Sequence, residues 1–189
     1  YYMRGAPGDD DLERFVWDYV YAPSKPAWAH TFALLAPYAG AYSARLTVAL
    51  MGGSQSASVN PDHHVQVYLN EVLVGDRTWD GATWNVSTFD VPQGLLVAGN
   101  NTIRVFCPND MGLGYDVVYV DWVELEYANT FVAEGDILYS ATVGPAASKY
   151  QVTGFTTDQV VAYDVTDPLA VARLTGLNVE AAGSGYAAS

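Results

Sequence analysis

From Glu13 to Tyr127, apolar and polar side chains alternate in short runs that are broken by Gly, Pro, Asn and Asp. Successive side chains of a strand point to opposite faces, so a period of two predicts strands half-buried in a sheet. Eight runs carry it: Glu13–Ala22, Trp28–Leu35, Ala44–Met51, His64–Leu69, Val72–Val74, Trp84–Val91, Thr102–Phe106 and Val117–Tyr127. Asn70-Glu71 separates two of them at the spacing of a tight hairpin. Gln93–Asn101 and Pro108–Tyr115 are rich in Gly and Asn and read as loops. The nearest approach to a helix, Asp10–Trp17, is interrupted by β-branched and aromatic residues and fits a strand better.

Eight short strands with short connections bury themselves best as two layers. The expectation for residues 1–128 is therefore an all-β, antiparallel, two-sheet jelly-roll sandwich. After Tyr127 the rhythm changes. Ile137–Val143, Tyr150–Phe155 and Val160–Asp164 are strand-like, and Asp164-Val165-Thr166-Asp167-Pro168 closes the unit with turn chemistry. Residues 129–176 read as a small C-terminal β appendage, packing on the sandwich or leading to a next domain. Residues 177–189, with Ala181-Ala182-Gly183-Ser184-Gly185-Tyr186, read as a flexible tail.

Composition narrows the function. The 14 Tyr and 5 Trp outnumber the 6 Phe, and such side chains suit ligand platforms as well as cores. The formal net charge is −13, from 8 basic and 21 acidic residues. Nucleic acid needs a positive stripe to displace counterions, so it is excluded as a partner. An anionic membrane surface is disfavoured for the same reason, and no apolar run reaches the ~20 residues of a membrane span. The single Cys107 forbids an internal disulfide. The absence of a starting Met or leader reads as a processed or trimmed piece of a longer polypeptide.

Trp79-Asp80-Gly81 followed by Trp84 is the most ligand-like feature. Indole faces stack on sugar rings, while Asp80, Arg77 and Tyr115 offer hydrogen bonds and a further ring. The alternative is that either Trp closes the core. Phe15, Trp17, Tyr19 and Tyr21 form a second aromatic stripe, better placed in the core than on a surface. Asp121 falls among Tyr119, Val123 and Leu125 on one face of its strand, and a bare carboxylate there is costly. It is either a backbone-bonded structural Asp or a calcium ligand, with Glu13 or Asp18 as partners. Asp9, Asp10 and Asp11 form a carboxylate loop of the kind calcium takes, or simply a solvated turn. Cys107 continues the Ile103, Val105 alternation into the core and is not a nucleophile candidate. Adjacent His63 and His64 point oppositely along a strand and make a poor chelate. No catalytic residue is assigned.

The runs His64–Asn70, Val74-Gly75-Asp76 and Trp79-Asp80-Gly81, with Asp116–Leu125, resemble galactose-binding-like jelly rolls of the carbohydrate-binding-module type. The resemblance implies a structural calcium at the position of Asp121. From Glu13 to Pro168 the arrangement is most similar to the jelly roll beside the caspase-like domain of gingipain-like cysteine peptidases, without their catalytic His–Cys block. The expected function is a non-catalytic accessory module of an exported or cell-surface bacterial protein that binds a glycan or polysaccharide. A structural subunit of a filament, surface layer or adhesin, or a packing module against neighbouring domains of a peptidase, is the alternative.

Overall fold

The computed structural model describes residues 15–140 and 150–189, and the chain divides into two compact units at Ala128/Asn129. The first unit holds eight strands: β1 (Asp18–Ala22), β2 (Ala27–Leu34), β3 (Ser43–Gly52), β4 (His63–Leu69), β5 (Val72–Trp79), β6 (Trp84–Pro92), β7 (Gly99–Phe106) and β8 (Asp116–Glu126). One sheet has the order β1-β8-β3-β6 and the other β2-β7-β4-β5, with every pairing antiparallel. The pairs 1·8, 2·7, 3·6 and 4·5 nest around a single turn, as if one long hairpin had been rolled over itself. That is the jelly roll.

The tip of the roll is Asn70-Glu71, with φ of 49° and 64°. Two residues in the left-handed region match the twist of a two-residue hairpin. Asn70 then fastens the tip: its amide donates to Leu95 O (2.7 Å) and Asn101 Oδ1 (2.8 Å), and its side-chain oxygen accepts from Thr102 N (2.8 Å).

Val20, Leu46, Val48, Leu50, Val118 and Val120 from one sheet face Val65, Val67, Leu69, Ile103 and Val105 from the other. Each such side chain contributes roughly 1.5–3 kcal/mol on leaving water. In β1 the inward residues are Val20 and Ala22, so Tyr19 and Tyr21 stand on the outer face rather than in the core expected for them. In β8 the alternation changes phase. Val120 pairs with Leu50 and Trp122 with Ala49, which leaves Asp121 as the extra residue of a β-bulge. Val118 and Val120 point inward before it, and Val123, Leu125 and Tyr127 pack on the core after it. Asp121 is therefore not a carboxylate in an apolar row: the bulge takes it out of the alternation.

The second unit contains β9 (Val152–Phe155), β10 (Ala162–Asp164), β11 (Ala172–Leu174), β12 (Val179–Ala182) and β13 (Gly185–Ala188). Its three-stranded sheet, β12-β13-β9, closes a small core of Ala133, Phe155 and Ala188, while β10 and β11 form a separate hairpin. Residues 177–189 are not a flexible tail. Gly183, at φ 61°, is the turn of the β12–β13 hairpin, and Ala187 and Ala188 are buried. Gly185 lets Phe155 O approach to 2.3 Å of where a Cβ would stand. Of the run Ile137–Val143, the described residues form no strand: Ile137 makes a single bridge to Glu134.

Candidate functional site

The outer face of the β1-β8-β3-β6 sheet is built from the side chains that alternation turns away from the core. Reading across the strands, one row is Tyr19, Tyr119, Met51 and Trp84, and the next is Trp122, Ala49 and Val86. Trp84 and Trp122 are each 37% exposed and Val86 is 59% exposed. Ala49, between Trp122 and Val86, leaves a shallow floor. Met51 is buried beneath Val16 and Tyr119. Beyond these rows the face turns polar: Thr47 and Thr88 share a hydroxyl hydrogen bond of 2.9 Å, and Arg45 faces Glu126 at 3.7 Å. Half of one sheet face is thus aromatic and half is polar.

Beside Trp122 lies an open recess lined by Phe15, Val16, Trp17, Asp121 and Trp122. The bulge at Asp121 sets that recess, because the extra residue bends the strand and turns Trp122 to the outer face. Trp17 rests at the border, 6.1 Å from the Trp28 ring and 5.9 Å from His30. At the other border Tyr115 meets Tyr21 edge-on at 6.1 Å.

The residues expected to form one ligand platform are separated. β5 runs on to Trp79 instead of ending at Val74, and strand alternation turns that indole inward, where it stacks on His63 at 4.8 Å. Trp79 packs against the core, with its indole N–H buried and unpaired. Arg77, on the same side of the edge strand β5, lays its guanidinium 4.8 Å over the Phe89 ring. Asp80 is exposed in the turn, its carbonyl accepting from Thr83 Oγ1. Only Trp84 and Tyr115 belong to the aromatic outer face. Trp122, half exposed on the same outer face beside Ala49, was not among the residues expected there.

The expected cation ligands fare differently. β1 and β8 are neighbours, but Asp18 accepts from Lys25 Nζ at 2.6 Å. Burial acts to raise the Asp18 pKa, and the Lys25 contact outweighs it, so the carboxyl stays below its usual range. That lysine supplies the positive charge a cation would bring. Glu13, Asp9, Asp10 and Asp11 lie outside the described residues. Among the described residues, no group of three or more His, Cys, Asp or Glu side chains is placed to hold a metal ion.

A polar cluster lies inside one end of the roll. His63 is fully buried, with Nδ1 2.6 Å from Asp116 Oδ1 and Nε2 3.0 Å from Ser54 O. Asp116 Oδ2 accepts from Cys107 Sγ at 3.2 Å, and Asp62 accepts from Ser56 N (2.6 Å) and Gly81 N (2.7 Å). Burial alone would lower the His63 pKa, but the hydrogen bond and charge of Asp116, with the charge of Asp62, raise it above the ordinary histidine value. Burial, then Asp116, pushes the Cys107 thiol up to about 12. A thiol held in that state is no nucleophile near neutral pH. Four loops and strand ends meet here, so the cluster is a polar knot of the fold.

Several solved proteins are similar to this chain. Dimeric latent PorU from Porphyromonas gingivalis matches over 99% of this chain at 9% identity with a TM-score of 0.58, and the chain spans about 20% of the length of that protein. A family 36 carbohydrate-binding module in complex with calcium and xylotriose matches over 57% of this chain and 78% of its own, at 18% identity and a TM-score of 0.39. A family 35 module from Clostridium thermocellum covers 55% and 72%, at 21% identity and 0.36. The likeness to PorU, at a TM-score above one half, shows a shared fold. Neither a family model nor a curated protein matches the chain.

Proposed function

We propose that the first unit is a non-catalytic binding module that holds a glycan on the aromatic half of its outer sheet face. The observation that carries this reading is the placement of Trp84 and Trp122, two half-exposed indoles on strands flanking β3, with an alanine floor beside them. Indole faces cover the apolar faces of sugar rings, and the neighbouring Thr47, Thr88 and Glu124 supply hydroxyl and carboxylate partners for the ring hydroxyls. Affinity electrophoresis against a panel of polysaccharides tests it. Retardation by at least one polysaccharide, lost in Trp84→Ala and Trp122→Ala, supports the reading. Uniform migration with every polysaccharide removes it.

A second reading is supported by the second unit. Its β10–β11 hairpin leaves Val161, Tyr163, Val171 and Leu174 about half exposed and Leu169 96% exposed, as a module that packs on a neighbouring domain or assembles with copies would. Light scattering across concentration separates self-assembly from a strict monomer. Under either reading the module acts outside the cell, as part of an exported or surface protein. No helix among the described residues is long and apolar enough to cross a membrane. The calcium reading is retained for Asp121 with Glu13 and the Asp9–Asp11 loop, and is withdrawn for Asp18. A ligand held only by the folded state stabilises it, so a chelator should lower the melting temperature. An unchanged melt removes calcium.

A further inference from the structure

His63 and His64 are adjacent in β4 and point to opposite faces of their sheet, one into the core and one outward. Each ring has an oxygen acceptor at both nitrogens. His63 has Asp116 Oδ1 at 2.6 Å and Ser54 O at 3.0 Å, with Asp62 Oδ1 3.6 Å from Nε2. His64 has Asp110 Oδ1 at 2.7 Å from Nδ1 and Asp76 Oδ1 at 3.1 Å from Nε2. Carbonyl and ionised carboxylate oxygens only accept, and a neutral imidazole donates from one nitrogen alone. A neutral ring in either place would set a lone pair against an oxygen. The doubly protonated ring satisfies all four contacts.

Both rings reach the same segment, the connection from β7 to β8. His63 holds its far end through Asp116, which also accepts from Cys107 at the near end, and His64 holds its middle through Asp110. The interior of the segment offers little resistance of its own: Gly112 and Gly114 have no atom within 4 Å of a would-be Cβ, and Asn109 and Gly112 sit at φ 56° and 78°.

We propose that His63 and His64 form a paired, proton-operated clamp on the 108–115 loop, holding it to β4 from inside and outside most firmly while both rings are charged. The clamp loosens when they lose their protons, because a neutral ring keeps one N–H donor but gives up its charge attraction to Asp116 or Asp110. The ionisable groups facing His63 are Asp62 at the start of its own strand, Asp116 of β8 and Cys107 after β7, together with the stacked Trp79 ring of β5. Those facing His64 are Asp110 of the loop and Asp76 of β5, which also accepts from Gln66. None of these partners is cationic. Burial lowers each histidine pKa and the facing carboxylates raise it more, leaving both above the ordinary value. The clamp is therefore tight below the ordinary histidine pKa and loosens as pH rises through the elevated one. Tyr115 ends the loop against Tyr21 of the aromatic face, so loosening would also move one border of that face. The clamp stands independently of glycan binding, because its readout is the loop.

The test uses the full chain, with nitrogen chemical shifts of the imidazole rings and amide hydrogen exchange corrected for intrinsic rate. At pH 6 both His63 and His64 should be doubly protonated. As they titrate, exchange in 109–115 should accelerate about tenfold or more while β3 amides hold their protection. Asp110→Ala removes only the outer arm at an exposed position, and should loosen the loop at pH 6 by a similar factor. A neutral tautomer at either ring at pH 6 overturns the proposal. So does loop exchange unaltered by titration or by Asp110→Ala, or a rise in exchange shared equally by β3.

Discussion

The two units build sheets from the same kinds of residue and reach opposite outcomes. In the first, strands of 5 to 11 residues keep one face apolar long enough for two sheets to share a continuous core, from Val20 to Val120. In the second, strands of 3 or 4 residues bury a few small side chains around Phe155, and a hairpin keeps Tyr163 and Leu174 at the surface. Length along the alternation separates them. A strand of three residues turns one or two side chains inward, which is too few to offset ordering a two-stranded hairpin in water.

That contrast is easiest to break in the core of the roll. Leu46→Ala should cost the first unit about 2–5 kcal/mol, read as a lower urea midpoint by tryptophan fluorescence. The probe is selective, since Trp17, Trp28, Trp79, Trp84 and Trp122 all precede residue 129. Gly52→Ala should cost about 1–3 kcal/mol. Its Cβ would stand 2.2 Å from Gly81 O and 2.4 Å from His63 Nε2, and the backbone oxygen cannot swing aside. A midpoint equal to that of the parent would show that the polar knot yields where the structure says it cannot.

The pH dependence should also divide the units, because all three histidines lie in the first. His63 and His64 have folded pKa values above their unfolded ones, so their stabilisation is complete below the ordinary histidine value and fades as pH climbs through the elevated one. Asp18, whose pKa is lowered, adds stability above the unfolded carboxylate range and loses it as pH falls through the folded value. Urea midpoints measured from acid to alkaline pH should therefore pass through a maximum on the acid side of neutrality. A flat alkaline limb would argue against charged imidazoles.

Smaller effects sharpen the surface comparison. Trp84→Ala and Trp122→Ala should each weaken glycan binding about tenfold, about 1.4 kcal/mol, in affinity electrophoresis. Leu169→Ala in the second unit should move stability by no more than about 0.5 kcal/mol, because its side chain is almost wholly exposed.

The strands of the roll were legible because alternation is a local property. The turn at Asn70-Glu71 was legible too, since its two-residue spacing suits a hairpin and little else. The site was less so. Trp79 and Trp84 are five residues apart and looked like one platform, yet the turn between them passes from one sheet to the other, so one indole faces the core and its companion faces outward. In β8 a single extra residue changed the phase, so that Val118 and Val120 point inward before it and Val123 and Leu125 after it, which made Asp121 look embedded in an apolar row with Tyr119. The Gly183-Ser184-Gly185 stretch has the composition of a linker, and the pairing of Tyr186 and Ala188 with β9 made it a turn.

The amino-acid order alone determined the class of structure: short amphipathic strands, a hairpin at Asn70-Glu71, and a strongly acidic net charge. Those follow from side-chain polarity and backbone preference, which each residue carries with it. Which strand lies beside which, and so the meeting of Trp84 with Trp122 across β3 and of His63 with Asp116 and Cys107, was decided only in three dimensions. Contacts between residues tens of positions apart depend on register, and register is set by the whole sheet at once.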